Sequence, residues 1–293
     1  MYELIKITEN CYYVDCPAKI GIVKTGENTV CLIDSGSDKD AAKKVKRHLD
    51  EQGWSLTAIY NTHSNADHVG GNKYLAEQTG CKIYAPGIEC AITRHPILEP
   101  AYLFGGYPPK ELKNKFLMAQ ESGAEYLTEE SLPEGFKIIP LRGHFFDMVG
   151  FLTPDGVAFV ADCLSSEATL KKYGIGVVVE PEAYINTLEA VKSLDAKVFV
   201  PSHAEVTEDI TALADLNIAA ARETAEKILS LLGEPATFDE LMKRLFDEMG
   251  LTLSLQQYVL VGSTVKSYLA YLSDSGKITC RAEENRLVWV KQN

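Results

Sequence analysis

The hydrophobic pattern of the chain alternates between two spacings. Short apolar runs bounded by turn residues predict strands, and the first of these runs are typical of an antiparallel meander. Apolar residues three or four positions apart predict helices, some of which end at a glycine. The strands are expected at 11–15, 20–23, 30–33, 56–60, 82–85, 136–141, 149–153, 157–161 and 197–200, and the helices at 38–52, 71–79, 110–122, 183–194 and 210–232. This order predicts an α/β (α+β) fold in which helices cover the outer faces of sheets.

Residues 95–130 interrupt this rhythm with several prolines and a glycine pair. We interpret them as an insertion that lies over another part of the fold, because loops of this length in compact domains are usually functional or mobile. The helix expected at 110–122 belongs to this segment.

The pattern changes again after Gly233-Glu234-Pro235. Two helices and a strand pair around a polar turn follow, which is typical of a small winged-helix-like unit. The helices are expected at 238–249 and 254–273, the second broken at Gly262, and the strands at 277–280 and 286–290. We therefore predict two domains, 1–232 and 235–293.

Composition narrows the function classes. The 293 residues are 46% hydrophobic, enough for a substantial core, and the net charge of −12 disfavours nucleic acid or an anionic membrane as a partner. No apolar run is long enough to span a membrane and no export signal opens the chain, so we expect no membrane association. Seven scattered cysteines without a C-x-x-C pair are typical of reduced thiols, which predicts a cytoplasmic protein.

Candidate chemistry is concentrated directly after the strand expected at 56–60. His63, Asp67 and His68 place three strong metal-binding side chains within six residues. His144, Asp162 and His203 follow three later strands. A single histidine is more often an ordinary hydrogen-bonded residue, but six imidazole and carboxylate groups at strand ends favour a shared metal site.

The run His63-Ser64-Asn65-Ala66-Asp67-His68 resembles the H-x-H-x-D-H signature of the metallo-β-lactamase superfamily. Gly143-His144, Ala161-Asp162 and Ser202-His203 fall where the later ligands of that family do, and the resemblance covers roughly residues 10–232. It implies an αββα sandwich with a metal site at one edge between the sheets. The implied first metal site consists of His63, position 65 and His144, and the second of Asp67, His68 and His203, with Asp162 bridging both. The resemblance implies one or two divalent ions, with zinc expected first and iron or manganese as alternatives.

Asn65 departs from the signature, because its neutral amide oxygen is a weaker ligand than imidazole for a borderline-soft ion such as zinc. Three outcomes stay open. The first site is weakened but still fills, only the second site holds a metal, or the first site takes a harder ion that prefers oxygen. Flavodiiron relatives carry a glutamate at this position, and the missing charge here disfavours oxygen chemistry.

Such a site would produce a metal-bound hydroxide near neutral pH and polarise a carbonyl or phosphoryl oxygen. We assign Asp67 and Asp162 as candidate catalytic residues that orient the attacking water. Asp34 is a candidate hydrogen-bond partner for a ligand or for the loop, and a strand-end turn residue is the alternative interpretation. Four residues are candidates for the substrate pocket by position alone: His95, Tyr102, Tyr107 and Tyr173.

The leading hypothesis is a metal-dependent hydrolase of a small ester or thioester that resembles hydroxyacylglutathione hydrolases. A phosphodiesterase or endoribonuclease of the same superfamily is the alternative enzyme, and a metal-binding scaffold or regulatory protein without turnover is the alternative of another class. Residues 235–293 carry seven basic and seven acidic side chains, which gives a weak electrostatic case for nucleic acid. We expect this unit to cover the pocket or to form a homodimer contact.

Overall fold

The fold is a sandwich of two sheets between layers of helices, seen in a computed structural model that describes residues 2–292. The first sheet begins as an antiparallel meander and continues with parallel strands, because helices connect its later members. Its strands, in spatial order, are β1 (Glu3–Lys6), β2 (Cys11–Asp15), β3 (Ile20–Lys24), β4 (Thr29–Ile33), β5 (Ser55–Tyr60), β6 (Lys82–Ala85) and β7 (Glu125–Tyr126). The predicted meander is confirmed.

The second sheet has the order β11-β10-β9-β8, with β10 and β11 parallel and the other neighbours antiparallel. Its strands are β8 (Lys137–Pro140), β9 (Val149–Leu152), β10 (Val157–Ser165) and β11 (Val198–His203). Side chains from both sheets, including Val23, Ile33, Phe151 and Phe159, form the apolar layer between them. The predicted sandwich is therefore confirmed.

Helices cover the outer faces. Helices α1 and α3 pack on the first sheet through Val45, Leu49 and Leu75, whereas α7 and α8 pack on the second through residues such as Leu188 and Ile218. The helices are α1 (Lys39–Gln52), α2 (Ala66–Val69), α3 (Asn72–Thr79), α4 (Gly87–Arg94), α5 (Leu98–Phe104), α6 (Glu167–Tyr173), α7 (Pro181–Val191), α8 (Thr211–Leu231), α9 (Phe238–Glu248) and α10 (Leu255–Asp274).

The helix predicted at 110–122 is wrong. Only a single 3-10 turn forms there, at Lys110–Leu112. The Asn114 side chain donates to the carbonyl of Glu111 at 2.8 Å and accepts from the amide of Phe116 at 2.9 Å, so local side-chain bonds compete with the helical ladder.

Instead, helices form where prolines had suggested irregular chain. Helix α5 contains Pro100 in its first turn, where a missing amide hydrogen costs no intrahelical bond. The insertion thus contributes a short helix, and this helix lies over the loop after β5.

The C-terminal unit consists of α9, α10 and a hairpin of β12 (Ile278–Glu283) and β13 (Arg286–Lys291). The break predicted at Gly262 is wrong, since α10 runs through it. A Cβ atom at this glycine would lie 3.3 Å from the Phe238 ring, so the residue permits close packing of α9 on α10. Leu241 and Leu269 belong to the same buried cluster as Leu188 of α7, so this unit shares a core with the helices of the second sheet.

Asp162 does not lie at a strand end as predicted. Strand β10 continues to Ser165, but its pairing with β11 is irregular on both sides of Ala161, which has a φ of 51°. This irregularity locally changes the strand where Asp162 projects toward the site.

Candidate metal centre

The metal-binding loop follows β5 and runs into α2. His63 precedes this helix, whereas Asp67 and His68 lie within its single turn. A Cβ atom at Gly71 would lie only 2.2 Å from the carbonyl oxygen of Ser35, so a glycine is required for the loop to pack on the segment after β4. This packing fixes the turn that carries two of the predicted ligands.

The remaining predicted ligands come from separate elements of the second sheet. His144 lies between β8 and β9, Asp162 in β10, and His203 at the end of β11. The structure brings the six residues into two groups, in each of which one nitrogen or oxygen atom per residue lies within 4.8 Å of the others. The groups are His63, His144 and Asp162, and Asp67, His68 and His203.

Asp162 lies between the two groups. Its Oδ2 is 3.1 Å from Nε2 of His203 and its Oδ1 is 3.1 Å from Nε2 of His68, while Nε2 of His144 is 3.8 Å from Oδ2. A carboxylate in this place can supply one oxygen to each metal site.

Asp34 supports two of the imidazoles. Its Oδ2 accepts from Nδ1 of His68 at 2.8 Å and from the hydroxyl of Thr62 at 2.8 Å. Because the Thr62 hydroxyl donates to Asp34, it accepts from Nδ1 of His63 at 2.9 Å. Asp34 has a φ of 63°, a conformation that aspartate and asparagine tolerate better than most residues, and it receives the Thr62 amide on Oδ1. Both rings are thereby fixed with Nε2 directed away from these partners.

The other two imidazoles are held by backbone carbonyls. Nδ1 of His144 donates to Val177 at 2.8 Å, and Nδ1 of His203 donates to Pro17 at 2.7 Å. In all four rings the proton on Nδ1 therefore leaves the Nε2 lone pair free for a cation.

Three buried atoms of the centre make no hydrogen bond among residues 2–292. Nε2 of His63 has no partner, while Nε2 of His68 and Oδ1 of Asp162 lie 3.1 Å apart without hydrogen-bond geometry. Buried polar atoms are rarely left unpaired, because the lost hydration is costly. A divalent ion would satisfy these lone pairs, and imidazole with carboxylate is a donor set that zinc, iron and manganese accept. The residues present therefore fit a metal.

The second metal site is strongly charged. Although burial opposes it, Asp162, Asp67 and Asp34 raise the pKa of His68 well above its usual value. Asp162 is the main cause that raises the pKa of His203 to about 10. Burial alone would raise the pKa of Asp67, but His68 and His203 outweigh it and lower the pKa to about 2. Carboxylates here attract positive charge, whether it is carried by protons or by a metal.

Apart from the shared Asp162, the predicted ligands of the first metal site are uncharged. Burial lowers the pKa of both His63 and His144, so both rings are neutral at pH 7. Asn65 lies beside them, with its Oδ1 3.2 Å from Nε2 of His144.

Two buried glutamates beside the loop were missed by the sequence interpretation. Glu99 of α5 accepts from Nδ2 of Asn65 at 2.7 Å. Glu89 of α4 accepts from the hydroxyl of Ser64 at 2.6 Å, and burial raises the pKa of Glu89 to about 7. Neither residue belongs to a motif. The sequence does not distinguish a buried acidic residue in this segment from a solvent-exposed one.

The predicted substrate residues lie in different places. Tyr102 lines a cavity of about 680 Å³ between α5, α7 and α10, and its ring packs on Phe146. His95 and Tyr107 are exposed in the insertion, and Tyr173 is exposed at the end of α6. Among the described residues, no hydrogen bond or ring contact joins these last three to the six ligands. They stay predictions.

Comparison with known proteins gives the family. Residues 10–203 match the model of the metallo-beta-lactamase superfamily. The chain belongs to this superfamily. The match spans the loop after β5 and ends at His203, so it includes all six predicted ligands, and the sequence-based assignment to this superfamily of metallo-hydrolases is confirmed at the level of the family.

Solved structures agree with this fold over nearly the whole chain. A metallo-beta-lactamase family protein from Thermus thermophilus is 17% identical with a TM-score of 0.71, covering 99% of this chain and 97% of its own. A beta-lactamase domain protein from Burkholderia ambifaria is 14% identical with a TM-score of 0.73, covering 99% of this chain and 94% of its own. At these identities the similarity shows the fold alone.

Curated relatives match over a short segment. A hydroxyacylglutathione hydrolase from Erythrobacter litoralis is 44% identical over 54 residues, which are 18% of this chain and 20% of that protein. The chain thus matches about a fifth of the length of this relative. Within residues 2–292, no helix combines the length and the apolar character needed to cross a membrane.

Proposed function

We propose that the protein is a metal-dependent hydrolase that cleaves a small ester or thioester. The observation that carries this proposal is the convergence of four imidazole Nε2 atoms and the Asp162 carboxylate, each imidazole being fixed through Nδ1. Divalent ions bound there would lower the pKa of water and polarise a carbonyl oxygen. We expect zinc first, with iron or manganese as alternatives.

The residues have separable roles in this proposal. His63 and His144 hold the first metal site, His68 and His203 the second, and Asp162 belongs to both. The Asp67 side chain is 44% exposed and that of His203 is 25% exposed, whereas His63 and His68 are fully buried. Substrate therefore approaches from the side of the second site, where the Asp67 carboxylate is placed to orient an attacking water.

Two observations support a small thioester or ester as the substrate. The local relatives that match the chain are named hydroxyacylglutathione hydrolases. The cavity that Tyr102 lines also has Ser263 and Lys266 of α10 at its wall, so the insertion and the C-terminal unit together form a space for a polar group of a small substrate. None of the six ligands lines this cavity, so it is not the reaction centre.

The C-terminal unit has a structural role in this account. We propose residues 1–232 as the catalytic domain and 235–293 as a winged-helix-like domain, since α9, α10 and the hairpin follow the expected order. Its helices share a core with α7 and α8, and Ser263 donates to the hydroxyl of Tyr102 at 3.2 Å, so the unit supports α5 and the cavity wall. A homodimer and a cytoplasmic location stay predictions, and the seven free cysteines are consistent with the latter.

Elemental analysis of protein purified without added metal, followed by turnover assays, tests the function. The assays compare glutathione thioesters, simple esters, bis-p-nitrophenyl phosphate and single-stranded RNA. We expect bound divalent metal, thioester or ester cleavage, and loss of both in an Asp162→Ala variant. Cleavage of RNA or the phosphodiester alone would favour the alternative enzyme. Bound metal without turnover would favour the scaffold, and neither metal nor turnover would refute the hydrolase.

A further inference from the structure

We propose that Glu99 is a positioning residue that fixes the Asn65 amide with Oδ1 toward the first metal site, so that this oxygen becomes its third ligand beside the two imidazoles. The inference rests on the proposed metal centre and concerns the one position where the chain departs from the superfamily signature. It assigns a role to α5, whose sequence matches no motif.

Hydrogen-bond geometry sets the direction of the amide. Nδ2 of Asn65 donates to Oε1 of Glu99 at 2.7 Å, so the amide nitrogen faces α5. The amide oxygen is then directed the opposite way, 3.2 Å from Nε2 of His144.

Asn65 does not cap helix α2 with its side chain. It occupies the N-cap position of α2, where an asparagine side chain usually accepts a hydrogen bond from the first turn. Its side chain makes no such bond here. The amide is used for Glu99 and the metal centre instead.

The atoms that Asn65 and His144 present to each other are both acceptors. Because Nδ1 of His144 donates to Val177, Nε2 carries a lone pair, and it faces the Asn65 oxygen at 3.2 Å. Two facing lone pairs repel unless a cation lies between them. Two ligand atoms of a tetrahedral zinc site with bonds of about 2.0–2.1 Å are separated by roughly 3.3 Å, so this spacing suits a shared metal.

Burial holds Glu99 in place beside the loop. Its side chain is buried, and among residues 2–292 no lysine, arginine or histidine pairs with it within 4 Å. A hydrogen-bond acceptor at the far end of a ligand orients the ligand atom, as such acceptors do for metal-binding histidines. Asn65 and Glu99 together therefore replace the missing imidazole.

A zinc titration of the metal-free protein against a chromophoric chelator tests this role. Glu99→Leu, which removes the acceptor, should weaken one of the two zinc equivalents about 10–100-fold and leave the other unchanged. Glu99→Gln, which keeps a side-chain acceptor, should have a smaller effect on the same equivalent. Excess zinc should restore turnover in both variants, which a misfolded α5 would not allow.

Glu89→Gln is the matched control, because Glu89 is equally buried and bonds the same loop, but through Ser64. We expect it to leave both zinc equivalents within about twofold. In an Asn65→Ala background, Glu99→Leu should have no further effect on zinc affinity, because the amide through which it acts is gone.

Four results would overturn the inference: unchanged zinc affinity in Glu99→Leu, equal weakening by Glu89→Gln, additive losses in the double variant, or binding of a single equivalent by the unaltered protein. Each is independent of the proposed reaction. Thioester turnover with unchanged zinc affinity in Glu99→Leu would refute the positioning role alone, whereas two zinc equivalents without turnover on any ester or thioester would refute the hydrolase alone.

Discussion

The two metal sites share Asp162 but differ in burial and in charge. The first is enclosed and combines neutral imidazoles with an amide, whereas the second is open and contains carboxylates that raise the pKa of His68 and His203. The two sites therefore differ more in the charge of their ligands than in the number of ligands. We therefore expect the second site to bind a divalent ion more tightly than the first, and substrate to approach it.

Asp162→Ala should have the largest effect, because this carboxylate belongs to both sites. We expect loss of both metal ions and a fall in turnover greater than the 10–100-fold typical of residues that only support a ligand. Elemental analysis and kcat/KM measure this. Asp155→Ala, in the turn before β10, is the control and should retain metal, and retention of both ions by Asp162→Ala would contradict a shared ligand.

Separate removal of one imidazole from each site tests whether the two zinc equivalents bind to different sites. His144→Ala should abolish the weaker zinc equivalent and His203→Ala the tighter one, because these rings belong to different groups around Asp162. A competition titration with a chelator resolves the two equivalents. Loss of the same equivalent in both variants would show that the sites are not distinct.

Asp34→Asn should lower zinc affinity about 10–100-fold, because Asp34 holds the His68 ring directly and the His63 ring through Thr62. Asparagine tolerates the positive φ of this position, so the backbone is retained. The same titration measures both equivalents. An effect confined to one site would mean that the Thr62 link does not support His63.

Asn65→His should strengthen the first site without changing the second. Imidazole is a better zinc ligand than an amide oxygen, and Glu99 would then accept from the new ring. We expect roughly tenfold tighter binding of the weaker equivalent, measured by the same titration. An unchanged affinity would show that the amide already serves as well as imidazole.

Glu89→Gln should change only the pH dependence of stability. Burial raises the Glu89 pKa to about 7 in the folded protein, so the folded state holds this proton more tightly than the unfolded state. The contribution of Glu89 to stability is therefore full below about pH 4.5 and declines as the pH rises to about 7, by about 3 kcal/mol. Urea unfolding of the metal-free protein at several pH values measures this. The free energy of unfolding should decline over this pH range in the unaltered protein but not in Glu89→Gln.

The candidate ligands were predictable because their signal is local. His63, Asp67 and His68 lie together in the sequence, and His144, Asp162 and His203 each follow or end a clear apolar run. Strand geometry and the superfamily signature then bring them together. The meander and most helix bounds follow from the apolar periodicity, whereas the sandwich was implied by the superfamily resemblance.

The supporting carboxylates of the insertion were not predictable. Glu99 reaches Asn65 only because α5 forms around Pro100 and packs over the loop. The hydrophobic pattern of the sequence does not predict this helix. The helix expected at 110–122 does not form for a related reason. The Asn114 side chain hydrogen-bonds nearby backbone groups, and packing of Leu112 and Leu117 against α10 sets the course of the chain. Tertiary contacts override local propensity at such positions.

Zinc titration of the metal-free protein shows whether two distinct metal sites exist. We expect two equivalents of unequal affinity, the weaker one sensitive to Glu99 and Asn65 and the tighter one sensitive to His203. Binding of a single equivalent, or of two equal ones that are unaffected by Asn65→Ala, would contradict this expectation.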